Sequence, residues 1–378
     1  MSFENLLIVG AGFSANAGLP LASAFTSALV NTEKLPLDGP SNALVRFVSG
    51  FVDTTFAEGR TAEPDDWPEL EDVFTLVDLS ANSGHHLGKY SASDLRLVRR
   101  AMLVRMIRML SQSYSRRHRR PDAAWELLEQ LFAGFDETST AVLSMNWDTV
   151  IETGVARSQG LERVDYGCDA RFAEFTEKGS LRERSRASRR VVSLTKPHGS
   201  VNWLYCDSCR DVFWVSPSST SKVADVLFRK HDWDSVRRIT GLKQSYTTRS
   251  PKCPHCGVEA LGTRFATFSF RKALDFPVHA ASWRTAETHL KESINWVFFG
   301  YSMPSADFEF KYLLKRVQLA ERTRPRITVI TGGGGAEETI KRFERFFGDV
   351  TDERFYFRHG LTSEVLDHLE EIGVIRAS

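Results

Sequence analysis

The residues best suited to chemistry are an asparagine, an aspartate and a histidine that follow two apolar runs. Asn146 and Asp148 lie in the segment SMNWD, and His198 lies in KPHGS. An asparagine can orient a hydroxyl or a water, and a histidine can accept a proton near neutral pH. The alternative for His198 is a role in the core or at a helix cap. Together the three residue types indicate a site for acid–base chemistry.

A glycine-rich turn near the start of the chain could hold a phosphate. The sequence LLIVGAGFSANAGLP places a strand before Gly10, Ala11 and Gly12 and a helix after them. Glycines there can adopt positive φ and let backbone amides approach an anion, while Ser14 adds a hydroxyl that a tight turn does not need. The pattern is that of a dinucleotide site, which needs an acidic residue at a strand end about 20 residues later. Because Glu33 lies in a loop-like segment instead, a plain NAD dehydrogenase is disfavoured.

Two CxxC pairs indicate a structural zinc site. The segments CDSC and CPHC contribute Cys206, Cys209, Cys253 and Cys256. Four thiolates close a tetrahedral site and leave no position for water, so the role should be structural. The pairs stand further apart than the roughly 15–20 residues of a compact ribbon, and four unlinked thiols are the alternative. We expect Cys168 to be an ordinary thiol, and a histidine ligand, His255, is unnecessary.

Five short apolar runs predict the strands that must position these residues. They cover residues 6–9, 141–145, 191–194, 296–299 and 327–330. Runs of this kind, each followed by a small or polar turn, are typical of buried parallel strands. Ligands of open α/β sheets bind at the carboxyl ends of the strands. We therefore expect GAGFS, NWDT, KPHGS, GYSMPSAD and TGGGG to meet at one edge of the sheet.

Two long segments interrupt this predicted sheet. Residues 21–138 are helical in pattern and too long for one crossover, which predicts an inserted helical subdomain. Residues 200–265 carry the cysteine pairs and form a second insertion, a zinc-binding module. The charged stretch 169–190 should be a surface loop or helix. We therefore predict an α/β fold with a Rossmann-like parallel sheet, in which residues 1–378 form a single domain that contains both insertions.

Composition limits the kinds of partner. Lys plus Arg number 49 and Asp plus Glu 48, so the bulk charge favours neither nucleic acid nor a membrane. Five arginines in residues 94–110 fall on opposite sides of the predicted helix, which favours a solvated or subunit-facing helix, and residues 116–120 form a short basic patch. The sequence shows neither a signal-type segment nor an apolar run long enough to span a bilayer. We expect a cytoplasmic protein without direct binding to nucleic acid or membranes.

The order of these motifs resembles the sirtuin-like family. GAGFSANAGLP, MNWD, PHGS, the two CxxC pairs and GYSMPSAD follow one another over residues 6–335. In that family a glycine turn, an Asn-x-Asp segment, a His-Gly pair, a zinc module and a late glycine-x-serine turn stand in the same order. The resemblance implies that NAD binds across a Rossmann-type sheet as a substrate and is cleaved at the nicotinamide–ribose bond.

The resemblance also implies roles for individual residues. Asn146 would position the reacting ribose or water, Asp148 would bind the nicotinamide amide, and His198 would act as the general base. The first turn would hold the pyrophosphate and ribose, the late turn would line the nucleotide side, and residues 332–335 would approach the adenosine. The implied nucleotide-binding residues are Gly10, Ala11, Gly12, Ser14, Gly300, Ser302, Gly332 and Gly333.

Two departures from the protein-deacylating members concern the second substrate. Those members follow the first turn with Asp-Phe-Arg, whereas LASAF stands at residues 21–25, and their peptide-binding stretch is replaced by TRFATFSF at residues 263–270. This asymmetry resembles the family's bacterial antiviral-defence branch, which hydrolyses NAD to ADP-ribose and nicotinamide. We predict an NAD hydrolase. The alternatives are an NAD-dependent deacylase or ADP-ribosyltransferase, and a non-enzymatic nucleotide sensor or scaffold.

A toxic NAD hydrolase must stay silent until it is triggered. The catalytic domain and its insertions account for almost the whole sequence, which leaves no long segment for a sensor. We therefore expect a homo-oligomer or an effector partner, and the resemblance implies a translocase-type ATPase or another sensor as that partner. The helical insertion and the basic patch at residues 116–120 are the expected contact surfaces.

Overall fold

Twelve strands lie in the described parts of the computed structural model. Those parts are residues 2–31, 40–57, 67–118, 122–185, 189–241, 250–263, 277–305, 307–320, 324–348 and 354–376. In chain order the strands are β1 (Asn5–Val9), β2 (Thr140–Ser144), β3 (Val164–Asp165), β4 (Ala170–Phe175), β5 (Leu181–Glu183), β6 (Val192–Thr195), β7 (Trp203–Cys206), β8 (Val212–Trp214), β9 (Leu261–Gly262), β10 (Asn295–Phe299), β11 (Arg326–Ile330) and β12 (Arg354–Phe357).

The helices of the same parts connect and cover these strands. They are α1 (Ala11–Ala15), α2 (Ala22–Val30), α3 (Pro40–Val52), α4 (Leu70–Ser83), α5 (Ala92–His118), α6 (Ala123–Gly134), α7 (Val150–Gln159), α8 (Thr220–Leu227), α9 (Lys230–Thr240), α10 (Pro277–Glu292), α11 (Phe308–Ala320), α12 (Ala336–Phe347) and α13 (Ser363–Glu371). A π-helical turn, Asp53–Ala57, follows α3, and a 3₁₀ turn, Pro217–Ser219, precedes α8. None of the described helices is long and apolar enough to cross a bilayer.

A parallel sheet of seven described strands forms the centre of the molecule. Its order is β12-β11-β10-β1-β2-β6-β3, and each neighbouring pair is parallel. The five predicted strands are confirmed as its contiguous middle, from β11 to β6. Their residues are buried because two hydrophobic clusters pack against the sheet, which explains why they read as unbroken apolar runs. The predicted α/β fold with a Rossmann-like parallel sheet is confirmed.

Helices α2 to α6 lie in the segment for which we predict a helical insertion, and α5 is the longest of them. This helix packs against α3, α4 and α8, and its buried residues occupy consecutive positions around the whole helix. They include Leu95, Leu97, Val98, Ala101, Met102, Leu103, Val104, Met106 and Ile107. Buried side chains surround the helix over residues 101–107, so the expectation of a solvated helix is wrong there, whereas contact with another subunit stays a prediction.

The five arginines of α5 within residues 94–110 bind groups within the molecule. Arg99 Nε lies 2.6 Å from Asp78 Oδ1, and Arg100 Nη2 lies 2.6 Å from Asp232 Oδ1. The other arginines bond to other parts of the fold: Arg96 to Ala81 O at 3.0 Å, Arg105 to Leu29 O at 3.1 Å and Arg108 to Asp225 Oδ1 at 2.8 Å. Asp225 lies in α8 and Asp232 in α9, so these bonds join the helical insertion to the insertion that carries the cysteines.

A second sheet has the order β5-β4-β8-β7-β9 among the described residues. Its first two strands form an antiparallel hairpin in the charged stretch for which we expected a surface loop or helix, and that expectation is wrong. The charged residues on the open face of β4 made its sequence look like a surface segment. On its buried face, Phe172 packs on Trp214 with ring centroids 4.6 Å apart. The bounds 21–138 and 200–265, and the single domain 1–378, stay predictions.

Candidate functional site

The first glycine turn packs directly against the turn that follows β10. A Cβ at Gly10 would lie 2.6 Å from Tyr301 Cα, and a Cβ at Gly12 would lie 2.8 Å from Gly300 Cα. Neither Gly10, whose φ is −122°, nor Gly12 uses the positive φ that a glycine can adopt, whereas Gly300 does, at +63°. The glycines are needed because two backbones meet there without room for side chains.

Hydrogen bonds fix this backbone contact. Gly10 N donates to Phe299 O at 3.0 Å, and Gly12 N donates to Gly300 O at 2.9 Å. These two amides therefore already have protein acceptors. Gly10 and Gly12 contribute the close packing of two strand ends, and Phe13, fully buried between Phe132 and Phe299, anchors α1 behind them.

The carboxyl ends of β1 and β2 are joined by a hydrogen-bonded cluster. Ser14 Oγ donates to Asp148 Oδ2 at 2.7 Å and accepts from Asn146 Nδ2 at 2.9 Å. Asn146 Nδ2 also donates to Gly10 O at 2.8 Å. Ser14, which a tight turn did not require, thus holds the two candidate residues of the next strand end. The remaining polar atom of Asn146 is its Oδ1, an acceptor suited to a hydroxyl or a water.

Asp148 also holds the start of the following helix. Its Oδ1 accepts from Val150 N at 3.0 Å, which satisfies an amide in the first turn of α7. Because its Oδ2 accepts from Ser14 Oγ, each carboxylate oxygen has a protein donor. An ionised carboxylate has about four acceptor positions, so the side chain retains capacity for a further donor.

His198 lies at the carboxyl end of β6, in a tight turn. Gly199 adopts a φ of +82°, and its amide donates to Lys196 O at 2.9 Å, which explains why a glycine follows the histidine. His198 Nδ1 lies 3.4 Å from Met145 O. When Nδ1 carries the proton for that bond, Nε2 carries the lone pair and is the nitrogen able to accept a proton.

Helix α10 supports the His198 turn from behind, which the sequence did not indicate. His279 Nδ1 lies 3.0 Å from Pro197 O. The Trp283 ring meets the His198 ring edge to face, with centroids 5.8 Å apart. No local pattern marked these residues, because their partners lie far away in the sequence.

A buried ion pair beneath the same turns was also missed. Lys196 Nζ lies 3.2 Å from Glu152 Oε1, and both side chains are almost fully buried. Burial raises the pKa of Glu152, although the neighbouring Lys196 opposes that shift. In the sequence, this ion pair could have been suspected from a lysine at the end of an apolar strand and a glutamate in the apolar start of a helix.

Of the remaining predicted nucleotide-binding residues, Ala11 begins α1 in the first glycine turn and is half-buried. The others lie at the carboxyl ends of β10 and β11, where Gly300 is half-buried and Ser302, Gly332 and Gly333 are exposed. The strand order brings their turns to the same edge as the first glycine turn. Their roles toward a nucleotide stay predictions.

The four paired cysteines come together at one end of the second sheet. All four Sγ atoms lie within 4.8 Å of one another, with Cys206 to Cys256 at 3.6 Å and Cys209 to Cys253 at 3.7 Å. Four sulfurs bound to one zinc at about 2.3 Å would be about 3.8 Å apart, so the donor set fits the predicted structural zinc. Each pair lies on its own turn, at residues 206–210 and 253–257.

Two neighbouring residues are accounted for separately. His255 Nδ1 binds Asp211 Oδ2. Ligand atoms of these two residues and of Cys209 lie within 4.8 Å of one another, so this smaller group shares the Cys209 sulfur with the four-cysteine cluster. Cys168 lies outside the cluster, and burial raises its pKa to about 12. A thiol held in its protonated form is a poor nucleophile, which agrees with the expectation of an ordinary thiol.

Part of the predicted acceptor stretch and of the basic patch lies outside the described residues. These parts are residues 264–270 of TRFATFSF and residues 119–120 of the patch. The described part of the candidate site consists of the strand ends and α10.

Comparisons with known proteins find likeness in structure alone. No protein-family model matches the sequence, and no curated protein matches it. One similar solved structure concerns the basis of sirtuin substrate affinity; it is 13% identical, with 99% of this chain and 94% of that chain covered and a TM-score of 0.33. Another is Sir2 with an inhibitor, 2′-O-acetyl-ADP-ribose and a deacetylated peptide, at 13% identity, 98% and 94% coverage and a TM-score of 0.32. Likeness at this level establishes no activity for this chain.

Proposed function

We propose that the protein hydrolyses NAD to ADP-ribose and nicotinamide by cleaving the nicotinamide–ribose bond. The observation that carries the proposal is the hydrogen-bonded cluster of Ser14, Asn146 and Asp148, with His198 on the next strand end. These side chains meet where ligands bind in open α/β sheets. The order of motifs in the sequence supplies the identity of the substrate.

The chemistry asks little of the protein beyond positioning and proton transfer. Nicotinamide leaves as a neutral molecule, and the ribose passes through a state with oxocarbenium character, so orientation of the bond and exclusion of water matter most. Asn146 Oδ1 would orient the attacking water or the ribose. His198 Nε2 would take the proton of that water. Asp148 would bind the nicotinamide amide through its remaining acceptor positions.

The glycine turns would form the wall on the nucleotide side. The first glycine turn, which packs against Gly300, would face the pyrophosphate and ribose with Gly10, Ala11, Gly12 and Ser14. Further along the same edge of the sheet would lie Ser302, Gly332 and Gly333. Because the amides of Gly10 and Gly12 already bond to carbonyl oxygens, they would act mainly by allowing the close approach of the chain. Zinc would stabilise the second sheet and take no part in the reaction.

The second candidate is an NAD-dependent deacylase or ADP-ribosyltransferase. The complete four-cysteine cluster favours it, because the deacylating members of the resembled family carry such a module. The departures at residues 21–25 and 263–270 favour water as the acceptor instead. A non-enzymatic nucleotide sensor is the third candidate.

Incubation of the purified protein with NAD separates these candidates. We expect nicotinamide and free ADP-ribose in equal amounts without any peptide, measured by chromatography. Turnover that requires an acylated peptide or a protein acceptor would establish the second candidate. Binding of NAD by calorimetry without any product would establish the third.

The proposed biological role is NAD depletion as an effector of bacterial antiviral defence. Such an enzyme must be inactive before its trigger, so we propose regulation by self-assembly or by a partner such as a translocase-type ATPase. The helical insertion is the proposed contact surface. Mass measurement of the protein alone and in its native complex tests this: a monomer that is fully active without a partner would contradict it.

A further inference from the structure

A buried ion pair lies behind the candidate site, and the steps of the proposed reaction leave it without an assigned role. Lys196 is 1% exposed and Glu152 3% exposed, with Nζ and Oε1 3.2 Å apart. Removing two charges from water costs free energy that their attraction seldom exceeds, so a hydrophobic pair of similar volume would often be as stable. Stability alone therefore does not explain why a lysine and a glutamate occupy these positions.

The contacts of the lysine indicate what it does. Its ammonium has three donors, and it contacts three acceptors: Asp148 O, Glu152 Oε1 and Ser200 Oγ, the last at 2.8 Å. Ser200 Oγ donates to Trp147 O at 3.2 Å. Lys196 and Ser200 from one strand end thus bind two successive backbone carbonyls of the neighbouring strand end.

These contacts lie next to both residues that the reaction needs. Asp148 stands two residues after Asn146, and Lys196 stands two residues before His198. Two residues of chain span at most about 7 Å, so a fixed distance between Lys196 and Asp148 limits the distance between Asn146 and His198. The amide of Val201, which donates to Trp147 O at 2.9 Å, is a further link between the same turns.

The glutamate connects the pair to the second sheet. Tyr166 OH donates to Glu152 Oε1 at 3.1 Å, and Asn202 Nδ2 lies 3.3 Å from Tyr166 Oη and 2.8 Å from Val215 O. Burial and the Glu152 charge hold the pKa of Tyr166 well above its usual range, so its hydroxyl stays a donor. Glu152 Oε1 therefore accepts from both Tyr166 and Lys196.

We propose that Lys196 is a positioning residue: by binding Asp148 O, Ser200 Oγ and Glu152 it sets the separation of Asn146 and His198. This inference rests on the proposed function, because those two residues are the ones that would act on NAD and water. Lys196 itself is too deeply buried to touch the substrate. Its effect passes through the backbone of the two turns.

The test compares a double variant, Lys196→Met with Glu152→Gln, with the wild type. The change removes both charges at similar side-chain volume and leaves neither of them unpaired. The assay is run well below the melting temperature of the variant. We expect kcat for NAD cleavage to fall about tenfold, while KM for NAD changes by less than about threefold. Lys230→Met, which breaks an exposed pair with Asp234, is the matched control and should keep the wild-type kcat.

A second variant guards against failure of the first to fold. Ser200→Ala keeps both charges but removes the hydroxyl that links Lys196 to Trp147 O. We expect a smaller loss of kcat, about threefold, with the melting temperature and zinc content close to wild type. A folded variant of either kind with the wild-type kcat would overturn the inference.

Hydrogen exchange tests the same inference without reference to NAD. The amide of Val201 reports directly on the contact between the turns, and in the double variant we expect it to exchange about tenfold faster than in the wild type. Amides in β10 should not change. If the wild type neither binds nor cleaves NAD, the proposed function fails, yet the exchange result still decides whether Lys196 holds the two turns together.

Discussion

The strand-end site and the cysteine cluster are built in opposite ways. At the strand ends, Ser14 bonds to both Asn146 and Asp148, so the chain itself fixes their geometry. At the cluster, four sulfurs come within 4.8 Å of one another, and thiolates at that distance repel unless a cation lies between them. The first region is organised by hydrogen bonds, whereas the donor set of the second fits a metal ion.

This difference separates the expected consequences of mutation. Loss of a reacting group at the strand ends should remove activity and leave the fold, because neighbouring hydrogen bonds remain. Loss of a ligand at the cluster should weaken the fold first. The variants below test that separation.

The largest expected effect is on turnover, in His198→Ala and Asn146→Ala. Removal of a general base or of the group that orients the reactant should lower kcat by about 10²-fold to 10⁴-fold. The melting temperature should fall by only a few degrees, because the buried strands beneath are unchanged. Measured NAD turnover and calorimetric melting check this for each variant.

Matched controls are exposed residues of the same type in the helical insertion. His86→Ala, between α4 and α5, and Asn82→Ala, in α4, should both retain wild-type turnover. Full activity in both His198→Ala and Asn146→Ala would show that the proposed active site is wrong. A loss of folding in both would contradict the contrast with the cysteine cluster.

The next largest effect is expected at the cysteine cluster, in Cys253→Ser. A structural zinc contributes free energy of folding, so loss of one buried ligand should release the metal and lower the melting temperature by about 5 °C or more. Zinc content by atomic emission and melting by calorimetry check this. Well below the new melting temperature, NAD turnover should persist.

Cys168→Ser is the control for that experiment, since this thiol lies outside the cluster. It should keep one zinc per chain. A Cys253→Ser protein that remains folded and fully loaded with zinc would show that the ligand set is wrong.

Much of the fold could be predicted because buried parallel strands leave a local record. β1, β2, β6, β10 and β11 are covered on both faces, so each is a run of apolar residues. The edge strands left no such record: β3 has two residues, and β12 reads RFYF. In β4 the charges of the open face concealed the strand.

The candidate site could be predicted only in part, for a related reason. The rule that ligands bind at strand ends brought Asn146, Asp148 and Ser14 together correctly. Nothing local marks Lys196 as the partner of Glu152, because that contact exists only after β6 and α7 pack. Glycine is needed at positions 10 and 12 because the backbone of Gly300, which is distant in the sequence, packs against them, and not because φ is positive there.

A third prediction, Gly300→Ala, tests that backbone contact. The residue has a φ of +63°, and an added Cβ would lie 2.0 Å from Phe13 N, so the two turns must separate. We expect a loss of about 3 kcal/mol of unfolding free energy and reduced NAD turnover even where the protein stays folded. Denaturant unfolding and turnover at low temperature measure both effects.

Gly50→Ala in α3 is its control, because an added Cβ there meets nothing within 4 Å. That variant should be as stable as wild type or slightly more so. Wild-type stability in Gly300→Ala would show that the two glycine turns are not in close contact.

The smallest expected effect is that of Ser14→Ala, which removes one hydroxyl from the strand-end cluster. Asn146 would keep its bond to Gly10 O, and Asp148 would keep its bond to Val150 N, so both side chains stay partly held. We expect about 1 kcal/mol of lost stability and about a tenfold loss of kcat, far less than in Asn146→Ala. Ser23→Ala, exposed in α2, should change neither quantity. If Ser14→Ala instead matched the loss in Asn146→Ala, Ser14 would itself contact the substrate, as the resemblance implies; unchanged activity would mean that the cluster holds its geometry without the hydroxyl.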